Sequence, residues 1–390
     1  MKNMPMPRPL ILLTLIATAV LPAAIATREL QAAELDSLVA ALHAVGSEGD
    51  GNAAAATAWQ ELAQLDADQL PQLLAALDDA RPLTANWIRA AVDAVAERHL
   101  QRGEPLPQEA LESFVRDTGH APRARRLAFE WLARIDQDAH DRLLPSMLDD
   151  PSVELRRDAV ARLIDSATVL LDGGDRDAAV AAFRQAFTAA RDIDQIKQLA
   201  ARLKDLDQEV DLPAHFGFIQ TWQLIGPFDN TDSAGYATTY PPEESLDTTA
   251  EYEGKHGTVA WSQHTTSEDY GLVDLNEAVG KESDVVAYAW ATLVVPAGRP
   301  AEVRLTTVNA NQVWVNGQPI GANEVYHAGS DLDQYVMPCT LKAGENQILV
   351  KVCQNAMTES WAQKWQFQLR VCDEVGTAIP STTRNAAPTQ

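Results

Sequence analysis

Apolar positions along this chain follow two different periods. From about Glu34 to Leu206 they recur every three to four residues among Ala, Leu, Arg, Glu and Gln, the spacing that lines one face of an α-helix. Ile88, Ala91, Val92 and Val95 fall on one such face. Ala128, Phe129 and Leu132 repeat it, as do Ala159, Val160 and Leu163. Aligning Arg89, Arg126 and Arg157 superimposes the three sets, at offsets of 37 and 31 residues. A period in that range predicts stacked helix pairs, each burying its face against its neighbour. From Pro213 onward the texture changes to short β-branched and aromatic runs, punctuated by Gly, Pro, Asn and Asp. Strands are expected near 219–225, 259–262, 286–295, 302–308, 312–315, 347–353 and 365–371, with no helices between them.

The expected architecture is therefore multidomain, α plus all-β: a helical repeat solenoid followed by an antiparallel β-sandwich of jelly-roll type. Within the helical half, Asp150-Pro151-Ser152-Val153-Glu154-Leu155-Arg156-Arg157-Asp158-Ala159-Val160 resembles a HEAT repeat. Pro151 is expected in the first helical turn, where its missing N–H has no partner to lose. Farther on, Leu171 to Phe183 looks like a tetratricopeptide-type junction. Gly173 and Gly174 would end one helix and Asp175 would cap the next.

In the strand-rich half, Asn316-Gly317 after Val313-Trp314-Val315 marks a tight hairpin, because both central residues of a type I′ turn need positive φ. Together with Trp222-Gln223-Leu224-Ile225-Gly226-Pro227-Phe228-Asp229-Asn230, Ala287-Tyr288-Ala289 and Leu341 to Val352, this series is similar to the galactose-binding-like domains that accompany family 2 glycosidases. The resemblance spans roughly 218–373 and implies a carbohydrate-binding fold. It also implies a structural calcium, for which Asp229–Asp232 and Asp331–Asp333 are the candidate loops; no other cofactor is implied. Family 2 glycosidases carry their catalytic carboxylates in a separate barrel domain, and no barrel sequence is present.

Charge and composition narrow the picture. The formal net charge is −24, and both halves are acidic, so neither offers the basic surface that a phosphate backbone requires; nucleic acid is excluded as a partner. Lys2 and Arg8, the apolar run Leu10–Leu21, and Ala24-Ile25-Ala26 read as a cleaved secretory signal over 1–26. Nothing later is apolar for the ~20 residues that a membrane-spanning helix needs. The expected division is a helical domain over 27–212, a β-domain over 213–375 and a disordered tail over 376–390. The location is expected to be periplasmic or extracellular. Cys339, Cys353 and Cys372 leave open one disulfide plus a thiol, or three buried thiols.

Sugar recognition needs aromatic faces for C–H stacking, with amides or carboxylates to bridge hydroxyls. The candidate binding residues are Trp314, Asn316, Tyr326, Asp331 and Trp361, with no catalytic residue assigned. Trp361 lies in the loop 354–364 and is the exposed candidate, whereas Trp365 opens a strand and is expected in the core. Asn309 and Glu359 complete the set of polar candidates. His256 and His264 flank Trp261 in an expected hairpin, with no acidic partner assigned, as a candidate pair of metal ligands. The expected function is a non-enzymatic binding or scaffold protein, with helices contacting protein and the β-domain taking a carbohydrate or an envelope partner. The alternatives are an accessory or catalytic component of a glycoside-degrading system, or a purely structural envelope module.

Overall fold

The computed structural model describes residues 33–356 and 359–381. The signal segment expected at 1–26 lies outside them. The chain divides into two compact units at Leu163/Ile164.

The first unit is helical: α1 (33–43), α2 (Asn52–Leu62), α3 (Leu70–Ala75), α4 (Pro82–Gln101), α5 (Gln108–Arg116), α6 (Pro122–Ile135), α7 (Ala139–Leu143) and the start of α8 (Val153–Asp172). The expected faces are buried: Ile88, Ala91, Val92 and Val95 on α4, and Ala128, Phe129 and Leu132 on α6. On α8, Ala159 and Val160 are buried, but Leu163 is only partly so, and Ile164 takes the buried position one residue later. Polar ties join the same helices. Arg89 pairs with Glu130 at 2.9 Å, Arg134 with Glu97 at 2.7 Å, and Trp131 Nε1 donates to Asp93 at 2.9 Å. Arg126 pairs in turn with Asp158 on α8.

One ion pair is fully internal. Arg125 clasps Asp150 through two bonds of 2.7 Å each, and its Nε donates to the Val115 carbonyl at 2.8 Å. Asp150 also accepts from the Ser152 N–H at 2.8 Å. This arrangement corrects the expectation for Pro151. It stands before the helix rather than in its first turn, and the Ser152 hydroxyl, accepting from Leu155 N, supplies the cap.

The second unit opens with the rest of α8, then α9 (Arg176–Ala189), α10 (Ile193–Asp205) and α11 (Leu212–Phe216). As the sequence implies, α8 ends before Gly173-Gly174, with Gly174 at φ +85°, and Asp175 accepts from Ala178 N at 3.2 Å. After α11, Gly217 sits at φ +80°, and a Cβ there would fall 2.5 Å from the Val371 carbonyl, so only glycine fits the turn into the strands.

The strands are β1 (Thr221–Asp229), β2 (Glu251–Gly254), β3 (Gly257–Ala260), β4 (Ser262–Thr265), β5 (Val273–Asp274), β6 (Val285–Val295), β7 (Arg299–Thr306), β8 (Ala310–Val315), β9 (Gln318–Asn323), β10 (Tyr335–Leu341), β11 (Gly344–Gln354) and β12 (Gln366–Cys372). They form an antiparallel six-stranded sheet, β4-β1-β6-β11-β8-β9, a four-stranded sheet, β10-β7-β12-β5, and the small hairpin β2-β3. Alternate residues of both larger sheets share one apolar cluster, from Trp222, Ala289 and Val350 on the first to Val303, Leu369 and Phe367 on the second. Asn316 and Gly317 have φ +53° and +76° in the β8–β9 hairpin, as the motif requires.

Two expectations fail here. Short helical turns do interrupt the strands, at Thr231–Tyr236, α12 (Pro241–Glu244) and α13 (Leu275–Ala278). Residues 376–381 are also not a free tail: Ala378 bridges to Cys372, Ile379 is buried, and the Ser381 hydroxyl accepts from Val294 N at 3.1 Å. Ile379 is the cause, because an apolar side chain at that point joins the core of the sheets.

Among the described residues no helix is long and apolar enough to cross a membrane.

Candidate functional site: aromatic loop end and outer sheet face

The outward face of the six-stranded sheet carries a second aromatic cluster. Ile225, Phe228, Val286, Tyr288, Leu349 and Cys353 are buried there beneath Tyr236, Tyr240 and Tyr252, with Trp261, Trp290 and Trp314 alongside. At its centre Lys351 is fully buried. Its Nζ donates to the Tyr236 carbonyl (3.1 Å), the Thr238 carbonyl (2.7 Å) and Glu243 Oε1 (2.8 Å), and it stands over the rings of Tyr240 and Tyr288 at 5.6 and 5.7 Å. Tyr288 also donates to Glu243. Burial, then this contact with a carboxylate, pushes the Tyr288 phenol far above its ordinary range. Every proton of the ammonium is satisfied, so the cluster fastens the segment 231–244 onto the sheet.

Three loops meet at the end of the sheets where β8 begins and β11 ends. Asn230, fully buried, donates to the Tyr326 hydroxyl (3.2 Å) and the Gln354 carbonyl (2.9 Å). Asn309 donates to Gln354 Oε1 (2.9 Å) and the Lys364 carbonyl (3.0 Å), which pins the loop that carries Trp361. His327, at φ +57°, places its Nε2 3.0 Å from Asn355 Oδ1. An amide oxygen only accepts, so His327 Nε2 holds the proton of that pair. Its ring meets Trp361 edge to face, with centroids 5.4 Å apart. Trp361 remains 61% exposed, and Glu359, two residues earlier, is exposed as well. Burial raises the Tyr326 phenol above its ordinary value, although Asn230 donates to it. The loop end thus offers an open indole, an imidazole and an amide in successive contact, with an exposed carboxylate two residues before the indole in sequence.

The five candidate residues separate. Tyr326 and Trp361 both lie at this loop end, each with its ring near His327. Trp314 lies on the outer sheet face, partly buried. Asn316 sits at the far end of β8, ~20 Å along the strand, and is held by Asn346 Oδ1 (2.9 Å) and Gln347 N (3.1 Å). Asp331 is exposed, and its carbonyl accepts from Thr306 Oγ1 and Gln334 N. Trp365 is fully buried with Nε1 donating to the Val352 carbonyl at 3.2 Å, as a core residue should. Asn309 is likewise internal and structural. His327, Asn355 and Asn230 escaped the sequence reading, because a lone histidine and scattered amides carry no spacing signal.

In each of the two loops suggested for calcium, one aspartate is taken up by cationic side chains. Asp229 lies 3.4 Å from Lys255 Nζ and accepts from Thr231. Asp333 takes Arg370 at Nε (2.7 Å) and Nη2 (2.6 Å), and Arg304 Nη1 at 2.9 Å. Burial alone would raise the Asp333 carboxyl, but Arg370 and Arg304 hold it below the usual carboxylate range. Among the described residues no group of three or more His, Cys, Asp or Glu is arranged to hold a metal. His256 is drawn to Glu282 at 3.4 Å, and His264 lies on β4 opposite Trp222, so they do not share a hairpin.

All three cysteines are free thiols. Cys339 and Cys372 oppose Ala301 and Glu302, consecutive residues of β7, and so face opposite sides of the sheet. Burial raises the Cys339 thiol to about 11 and the Cys353 thiol to about 12, which leaves neither reactive near neutrality.

No family model matches the chain, and no curated protein matches it. Among solved structures it is similar to a β-glucosidase from Kluyveromyces marxianus, at 12% identity, and to the same enzyme in complex with glucose, at 15%. Each match has a TM-score of 0.26 and covers 44% of this chain and 21% of that one. The chain thus spans about a fifth of the length of those enzymes, and a similarity this slight says nothing of its activity.

Proposed function

We propose that this chain is an exported, non-enzymatic binding protein whose strand-rich unit takes a carbohydrate at the loop end built around Trp361. In this reading the helices of the first unit stack as HEAT-like repeats and contact protein. The two larger sheets of the second unit close as a jelly-roll sandwich of galactose-binding type. The protein works in the periplasm or outside the cell.

The observation that carries the sugar reading is the state of Trp361. A tryptophan left 61% exposed loses the stabilisation of burial, yet this one packs edge to face with His327, and Asn309 ties down the chain three residues on at the Lys364 carbonyl. An open indole in contact with His327, with Asn355 bonded to that imidazole and the exposed Glu359 two residues away in sequence, offers the stacking face and hydroxyl partners that a pyranose needs. The network beneath it ties Asn230, Tyr326, Gln354 and Asn309 together, leaving only Asn230 Oδ1 among these side chains buried without a partner, so the loops are largely organised before any ligand arrives.

A glycan array probed with the whole chain and with Trp361→Ala tests this reading. Signal on a defined glycan class, lost in the variant, supports it. A silent array for the wild type, or equal signal from both proteins, refutes it.

A further inference from the structure

A second feature of the strand-rich unit is used neither by the loop end nor by the Lys351 cluster. Strand register aligns Pro319, Trp314, Leu349, Trp290, Gln223 and Gln263 in one row, running across β9, β8, β11, β6, β1 and β4. The row faces outward, because its neighbours along each strand, Val313, Ile348, Ala289 and Leu224, all belong to the inner core. The segment 231–260 covers the rows containing Lys351 and Cys353, but Trp314 and Trp290 remain partly exposed and Gln263 is exposed.

We propose that this row is a second carbohydrate site, which takes an extended, uncharged β-1,4-linked glycan lying across the strands, with sugar rings on Trp314 and Trp290. The inference rests on the carbohydrate reading given above, but on different residues. Two observations select the ligand. Trp314 and Trp290 are separated by one strand, so their attachment points lie about 10 Å apart, close to the repeat of a disaccharide in an extended β-1,4 chain. Successive indoles therefore meet alternate sugars. The row also carries no charge, and it continues into the amides of Gln223 and Gln263, with Gln347 and Thr292 in the adjacent row. A neutral, hydroxyl-rich ligand suits such a surface, whereas a charged one finds no partner in it.

The test is calorimetric titration of the whole chain with cello-oligosaccharides of two to six units. Wild type should gain at least about tenfold in affinity between the disaccharide and the trisaccharide, the shortest ligand whose alternate rings reach both indoles. Trp290→Leu and Trp314→Leu keep apolar cover over Leu349 but remove the ring, and each should abolish that gain. Trp361→Ala should keep it. Gln263→Ala, an exposed change at the end of the row that folding tolerates, should weaken the hexasaccharide about threefold, and this result stands if either leucine variant fails to fold. Affinity that does not grow with length, or growth that survives in the leucine variants and in Gln263→Ala, overturns the second site. If cello-oligosaccharides fail to bind while another glycan binds through Trp361 on the array, the second site falls and the loop-end reading stands.

Discussion

Trp361 meets His327 edge to face, with ring centroids 5.4 Å apart and planes at 75°. The contact restrains the indole without burying it, and His327 is itself anchored through Asn355. Trp365, four residues on, has the opposite fate, fully buried and bonded to Val352. Trp361→Ala should therefore change stability by no more than about 0.5 kcal/mol. Trp365→Ala should cost about 3–5 kcal/mol as a core deletion. Denaturant melts of the two variants check this, and equal losses would show that the loop does not separate an outer from an inner tryptophan.

Lys351 and Glu243 are 108 residues apart in sequence and 2.8 Å apart in space. Removing the ammonium leaves the buried Glu243 carboxylate without its counter-charge and the Thr238 carbonyl without this donor, while Tyr288 and Gln312 still donate to Glu243 and the Tyr236 carbonyl, so Lys351→Met should cost about 3–5 kcal/mol. It should also speed protease cleavage within 231–250. Pairing it with Glu243→Gln should recover part of the loss, since no carboxylate is then left unpaired. A double variant that melts at the sum of the two single losses would show that the pair does not act as a unit.

In the first unit, Arg125 and Asp150 form the corresponding buried pair. Asp150→Ala strands an internal guanidinium and also frees Ser152 N. A loss of about 3–5 kcal/mol is expected. Asp158→Ala breaks only the partly exposed tie to Arg126 and should cost about 1 kcal/mol or less. Urea midpoints of the two variants discriminate the roles, and the reverse ranking would contradict them.

His215 gives the second unit a pH dependence. Burial, then the neighbouring Arg191, lowers its pKa from the ordinary 6.5 to about 4, while its ring lies 3.1 Å from the Ala190 carbonyl. The folded form therefore resists protonation that the unfolded chain accepts. The stability from neutral His215 is complete above pH 6.5 and declines as the pH falls toward 4. After allowance for solvent screening, about 1–2 kcal/mol is at stake. Thermal melts between pH 7 and 4 should show a shallower decline in His215→Gln than in the wild type. Parallel curves would assign the decline to other groups.

Much of the fold was readable in order along the chain. Helical faces such as Ile88 to Val95, the Gly173–Asp175 junction and the Asn316–Gly317 turn depend on neighbours a few residues away, and all three lie as their local chemistry requires. Pro151 did not, because Asp150 is recruited by Arg125, 25 residues earlier, and the helix starts at Val153, capped by Ser152. Of the loop end, Trp361 was legible because a loop position implied exposure, and Tyr326, Asn309 and Glu359 were named only as residue types suited to a sugar. His327, Asn355 and the Lys351–Glu243 pair come together through sheet pairing over long separations. No periodicity marks such residues. Residues 376–381 were misjudged for a similar reason, since one apolar residue, Ile379, joins the core there.

Calorimetric titration of the brightest array glycan into the wild type and into Trp361→Ala, both shown to be folded, tests the central claim most directly. Stacking on an open indole predicts a saturable heat for the wild type and at least tenfold weaker binding for the variant, with melting temperatures unchanged. Equal affinity in the two proteins would contradict carbohydrate recognition at this loop end.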